Sequence, residues 1–314
     1  MPASTIDQLR AALDAETNDR DRVSATVALA RKLLSIDPRE ALVLLDRGTS
    51  IAERLGDESS MADCLSLIGK GHMLLGEMRE ASRALERALE MHQTLGNGTS
   101  VQHDIGHLGT VCLETGEYSK ALELYATAMR MASDQGDRKQ QAFWTGRSGD
   151  AHIRLGEYDT AIEQYQLARD MAEELNSPHD LATWTGSLGS AYCALGDFDT
   201  ALKCYQLALA QSEALGDRQG SAVITGNIGG VYKELGEYSQ AMQHYEKALS
   251  MAEEFKDVQR IAIWTGNIGD VYYRTGDFAR AMEYTQAALE QSQALGNPRG
   301  IVANLNQIGA VFDE

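Results

Sequence analysis

A glycine recurs at intervals of 40 residues through most of this chain, at Gly69, Gly109, Gly149, Gly189, Gly229, Gly269 and Gly309. A second glycine follows seven residues behind, at Gly76, Gly116, Gly156, Gly196, Gly236 and Gly276. A fixed period of this length marks an array of similar units, none of which can bury its apolar face without a neighbour. Arrays offer an extended concave surface rather than a single cleft, so the period points toward binding rather than catalysis. It also predicts one elongated domain, although 314 residues could hold two or three.

One period shows what each unit is. In residues 138–177, Ala142, Thr145, Ser148, Gly149, His152 and Leu155 are spaced by threes and fours, which is one face of a helix. Gly156 ends that helix, because glycine adopts the left-handed conformation cheaply. Ala161, Tyr165, Ala168 and Ala172 form the inner stripe of a second helix, and Asn176-Ser177 breaks it. Asp137, Asp217, Asp257, Asn97 and Ser177 stand where N-caps are needed. Pro38, Pro178 and Pro298 follow such positions, where a missing N–H costs nothing. Each unit therefore reads as an antiparallel helix pair. With only 4 prolines and no alternating strand-type runs, the chain is predicted to be all-α.

Composition narrows the function. At 43% hydrophobic and 24% charged residues the chain can bury a core. Its net charge of −18 repels nucleic acid and anionic lipid, so neither is an expected partner. Cys64, Cys112, Cys193 and Cys204 lack metal-site spacing and read as reduced, mostly buried thiols of a cytoplasmic protein. Neither a signal peptide nor a run of about 18 apolar residues is visible. GxxxxGK[ST], GxSxG and HExxH are missing. Pairs such as Gly146 and Gly149 lie mid-helix, where the N–H groups are already bonded, so they cannot cradle phosphate. The expectation is a non-enzymatic protein without a cofactor.

Gly229, Tyr232, Ala241, Tyr245 and Ala248 carry a known pattern: the glycine and aromatic of a first helix, then the small–aromatic–small stripe of a second. On these residues roughly 21–314 resembles the tetratricopeptide repeat, a helix–turn–helix unit. The period departs from the usual 34 residues. Threonine (Thr145, Thr185, Thr225, Thr265) replaces the aromatic usually found four residues before the glycine, with Trp144, Trp184 and Trp264 one place earlier. The stretches 226–232 (GNIGGVY) and 266–273 (GNIGDVYY) are similar to the longer-repeat subgroup of Pins-type G-protein signalling modulators, kinesin light chains and bacterial peptide-sensing regulators. The resemblance implies a right-handed α-solenoid that holds an extended peptide or partner helix in its groove. Residues 1–20 read as a capping segment, 21–57 as a degenerate first repeat, 58–297 as six regular repeats, and 298–314 as a terminal helix. That last helix is either a cap or the start of an eighth repeat cut from a longer protein. Its uncovered Phe312 offers a route to self-association.

In the resembling fold, first helices line the groove. The residues two before the landmark glycine are all polar: His107, Arg147, Ser187, Asn227, Asn267 and Gln307. An asparagine ladder at this place would hold a ligand's backbone, since an amide both donates and accepts. Asn227 and Asn267 match it outright. Further candidate groove residues are Lys70, Asp150, Arg154 and Lys233, with Asp270 and Arg274; Phe143 and Ile263 add apolar contacts. His103 and His107, at i and i+4, could offer two ligands to a metal, but no third is evident beyond His72 of the preceding repeat, which could approach, and they read as ordinary groove residues. Beside the polar row runs a glycine row: Gly106, Gly146, Gly186, Gly226 and Gly266. Each costs a helix roughly 0.5–1 kcal/mol relative to alanine. Either close helix packing or a smooth groove floor would offset that cost. The nearly balanced groove charge places the acidic excess on second helices, as at Glu173-Glu174 and Glu253-Glu254, and favours a partner segment of mixed or acidic charge. The runner-up function is a sensory or regulatory module of a larger signalling protein, such as a cyclase, kinase or transcription regulator.

Overall fold

A computed structural model describes residues 5–16 and 18–312. Residues 1–4 and 17 of the predicted capping segment, and 313–314 of the terminal helix, lie outside the described residues. The described chain contains sixteen helices and no strand. It falls into two compact units, residues 1–155 and 156–314.

In unit 1, α1 (Thr5–Ala15) packs on α2 (Asp19–Leu33), and α3 (Pro38–Leu55) follows. Then come α4 (Glu58–Leu74) with α5 (Met78–Thr94), α6 (Gly98–Thr115) with α7 (Tyr118–Asp134), and α8 (Arg138–Leu155). Ile6, Leu9 and Leu13 of α1 cover a core built from α2 and α3. Unit 2 begins with α9 (Tyr158–Glu174) and continues with α10 (Pro178–Leu195) and α11 (Phe198–Ala214). It ends with α12 (Arg218–Glu234), α13 (Tyr238–Phe255), α14 (Val258–Arg274), α15 (Phe278–Ala294) and α16 (Pro298–Phe312). Even-numbered helices are first helices and odd-numbered ones, from α3 on, are second helices.

The packing within each unit has a sidedness. Successive even helices touch one another: α2 with α4, α4 with α6, and α6 with α8 in unit 1, then α10 with α12, α12 with α14, and α14 with α16 in unit 2. Successive odd helices do not touch among the described residues. The even layer is therefore the tighter, inner layer of each stack.

The capping chemistry is local. Side chains of Asp57, Asn97, Asp137, Asp217, Asp257 and Asn297 each accept from the backbone N–H three residues on. Ser177 departs from its predicted role: its hydroxyl donates to Asp180 at 2.6 Å, and it makes no side-chain cap to the backbone. The left-handed turn after each second helix is glycine at Gly96, Gly136, Gly216 and Gly296, but Asn176 (φ 49°) and Lys256 (φ 56°) take that conformation in their repeats. Every cysteine is free; Cys64 and Cys112 are buried, and Cys193 and Cys204 are only half-buried.

The glycine row has a packing role. A Cβ on Gly106 would overlap the indole of Trp144, and one on Gly226 would overlap that of Trp264. Each tryptophan comes from the next even helix, is almost wholly buried, and stacks on the tyrosine of the intervening second helix. The ring centroids are 5.9 Å apart for Tyr125–Trp144 and 6.0 Å for Tyr245–Trp264. Where the next helix brings Ile224, the site is looser: a Cβ on Gly186 would make ordinary contacts at 3.8 Å and 4.0 Å. The threonines beside the indoles bury their hydroxyls by donating to the carbonyl four residues back, as Thr145 does to Gln141 and Thr185 to Leu181. That is why threonine fits a place where an aromatic is usual. The Tyr125 hydroxyl lies 3.1 Å from that of Thr110, and the Tyr205 hydroxyl 2.9 Å from that of Ser190, both partners on first helices.

Gly226→Ala is expected to cost about 1–3 kcal/mol through overpacking against Trp264, whereas Gly186→Ala is expected to add about 0.5 kcal/mol by stiffening the helix. Urea unfolding of the two variants checks the opposite signs. Lys256→Gly relieves a left-handed lysine and should stabilise by roughly 1 kcal/mol, read as a raised Tm.

Candidate functional site

The candidate residues lie on the inner, even-numbered helices. In unit 2, Ser187 on α10, Asn227 on α12 and Asn267 on α14 occupy the same register and are half-buried. Neither asparagine amide has an intramolecular hydrogen bond among the described residues. A half-buried amide without a partner keeps both donor and acceptor open to a ligand.

The charged candidates of unit 2 are drawn together. Lys233 Nζ on α12 lies 2.7 Å from Asp270 Oδ2 on α14. Arg274 Nε donates to the same oxygen at 3.3 Å, and its Nη2 lies 3.9 Å from Glu234. Lys233 is 15% exposed and Asp270 25%, so this linkage is better shielded than an ordinary surface pair. It ties α12 to α14 and sets the charged edge beside the asparagines.

In unit 1, Arg147 Nη1 donates to Asp150 at 2.6 Å, one turn on. Burial opposes the Arg147 charge, but Asp150 and the Tyr125 hydroxyl more than offset it, and its pKa rises. Arg154 is exposed at the end of α8. Phe143 is 39% exposed and stands edge-on to Trp144 with centroids 4.7 Å apart. His107 meets Trp144 edge-on at 5.6 Å. Burial, helped by Lys70, His103 and Arg147, pushes His107 down to about 3, so it is neutral near pH 7. His103 is also lowered, chiefly by burial. His72 is engaged elsewhere, with Nδ1 2.6 Å from Glu77. Among the described residues no three His, Cys, Asp or Glu side chains come together as a metal site.

A recess of about 450 Å³ opens in this layer of unit 1. The even helices contribute Arg31 from α2, Ser66 and Lys70 from α4, His103 and His107 from α6, and Phe143 from α8. Behind it lies a polar core that was not anticipated from the sequence. Asp104 is fully buried, accepts from Ser66 Oγ at 2.6 Å, and has His92 Nδ1 at 2.6 Å from its other oxygen. His92 Nε2 is 3.4 Å from Asp63. Stepping by 40 residues, His92 stands where Ala52, Ala132 and Ala172 are, and Asp104 where Trp144, Trp184 and Trp264 are. That register is the signal that would have found them.

Burial pushes the Asp104 carboxyl above the ordinary range, against the lowering bonds from Ser66 and His92. His92→Ala leaves a buried carboxylate short of a partner and is expected to cost about 3 kcal/mol at neutral pH. A raised folded-state pKa means that ionisation is what costs. The deficit against wild type should therefore shrink as pH falls through the Asp104 pKa toward its unfolded value of about 4. Paired unfolding curves at pH 7 and 4.5 check both the size and the trend.

Models of the tetratricopeptide repeat match residues 100–174, 180–254 and 227–295. No curated protein matches the chain in sequence. In fold it is similar to the apo form of RapI, with 14% identity and a TM-score of 0.69 over 86% of this chain and 97% of that one. It is similar to NprR in complex with its cognate peptide NprX, with 14% identity and a TM-score of 0.63 over 93% and 84%. It is also similar to BtubC from P. vanneervenii, with 22% identity and a TM-score of 0.58 over 70% and 92%. At these identities the likeness is one of fold. The repeat models span more than half of the sequence, and the helix pairs, their landmark glycines and their small–aromatic stripes are those of the repeat. The chain belongs to the tetratricopeptide repeat family.

Proposed function

We propose that this protein is a non-enzymatic scaffold that binds a protein segment or extended peptide along its even-numbered helices. The observation that carries the reading is the pair Asn227 and Asn267: the same residue, in the same register, on neighbouring inner helices, each amide without an internal partner. An extended backbone presents one N–H and one C=O per residue, which is what such amides complement. The fold similarity to NprR, whose structure holds its cognate peptide, supports the same use. Lys233, Asp270 and Arg274 in unit 2 and Arg147 with Asp150 in unit 1 satisfy one another. In this reading each set shapes the binding face of its own unit, and a partner meets it as neutralised groups.

A second reading is that the exposed apolar side chains of α16, Val302, Leu305 and Phe312, grip a neighbouring protein surface. Among the described residues no helix is long and apolar enough to cross a membrane.

The test is selection of a displayed random peptide library on the full chain, followed by affinity measurement. Selected peptides should lose at least tenfold affinity for the Asn227→Ala/Asn267→Ala variant, about 1.4 kcal/mol, with the Tm unchanged. Undiminished binding would refute the asparagine pair as the backbone-holding element.

A further inference from the structure

Behind the recess in unit 1, one inner contact is built differently from its tryptophan-bearing counterparts. At the α6–α8 and α12–α14 boundaries a tryptophan from the later helix fills the space over a glycine of the earlier one. At the α4–α6 boundary the equivalent residues are Ser66 and Asp104, joined by a hydrogen bond of 2.6 Å. A carboxylate occupies far less volume than an indole, and Ser66 is part of the recess wall.

The polarity of that wall is also particular. Arg31 and Lys70 line it, and neither has a carboxylate within ion-pair distance among the described residues, although acidic residues outnumber basic ones by 46 to 28. Asp63, the acidic lining residue, lies 3.4 Å from His92 Nε2. His103 lines the recess with a buried Nε2 that has no hydrogen-bond partner. Burial is the largest influence lowering the His103 pKa; Asp137 and Asp104 act against it, and Arg31 and Lys70, smaller in effect, act with it. Leu34, Leu67 and Phe143 complete the wall with apolar surface. At about 450 Å³ the space suits one or two side chains.

We propose that this recess is an anion subsite, in which Arg31 and Lys70 receive the carboxylate of an acidic side chain on the bound peptide. The apolar wall takes the methylene stem. Cations paired with a carboxylate form charge-assisted bonds of the stronger kind, and both residues are available for them. Apolar surface beside the cations selects a carboxylate on an alkyl stem over a bare inorganic anion. The source of the carboxylate rests on the peptide-binding reading; the anion site itself does not.

Two arms test it on the full chain. In the first, glutarate is titrated at constant ionic strength while the Trp144 indole N–H is followed by NMR. A saturable shift is expected in wild type, weakened at least tenfold in Arg31→Gln/Lys70→Gln. An equal response in the variant, an equal shift with sodium chloride, or tighter binding of inorganic phosphate than of glutarate overturns the proposal. In the second, peptides from the library selection should share an Asp or Glu. Its exchange for Asn or Gln should cost at least fivefold against wild type and nothing against Arg31→Gln/Lys70→Gln. Selected peptides without a shared acidic residue, bound equally by the variant, overturn the peptide source. A positive glutarate arm with no peptide binders removes the peptide-binding reading and leaves the anion subsite. Peptide binders with a negative glutarate arm remove the subsite alone.

Discussion

An indole laid on a helical glycine is the contact on which both stacks depend. Trp144 over Gly106 and Trp264 over Gly226 let successive first helices approach each other directly. The energetics favour it: each glycine costs its helix roughly 0.5–1 kcal/mol, whereas removing a buried tryptophan from a core costs about 3–5 kcal/mol. The stacked tyrosine binds the second helix into the same unit. First helices that touch, beside second helices that do not, make one layer tight. The tight layer carries the candidate site because its side chains converge.

Variation in that contact gives each boundary its own character. Ile224 leaves Gly186 in ordinary contact, while Asn304 approaches Gly266 and donates to Ser292 at 3.3 Å. Ser66 and Asp104 replace both members at the α4–α6 boundary and bring His92 with them. Since a buried carboxylate must be bonded to persist, the change propagates through three helices. One boundary between repeats thus exchanges apolar packing for a polar core with a recess in front of it.

Much of this was legible in the sequence. The positions of Gly156, Asp137 and Tyr165 within one period predict two helices, their ends and the inner stripe, because helix geometry and capping are local. The inner register of Asn227 and Asn267 follows from the same periodicity. The partners of long charged side chains were not legible: Arg147 with Asp150 and Lys233 with Asp270 read as open groove charges until the helices were placed. Asp104 carries no local signal, because the landmarks of its repeat, Gly109 and Tyr125, are regular, and His92 belongs to the preceding repeat.

The sequence by itself determined the helix pair, the array and the family, since these depend on spacing along the chain. Tertiary structure alone decided what the glycine row is for and which polar groups remain unpartnered. The tryptophans above Gly106 and Gly226 lie 38 residues further along the chain, and the same gap separates Ser66 from Asp104. Contacts of that span arise only when neighbouring repeats stack, which makes the asparagine pair and the Arg31–Lys70 recess properties of the stack rather than of any single repeat.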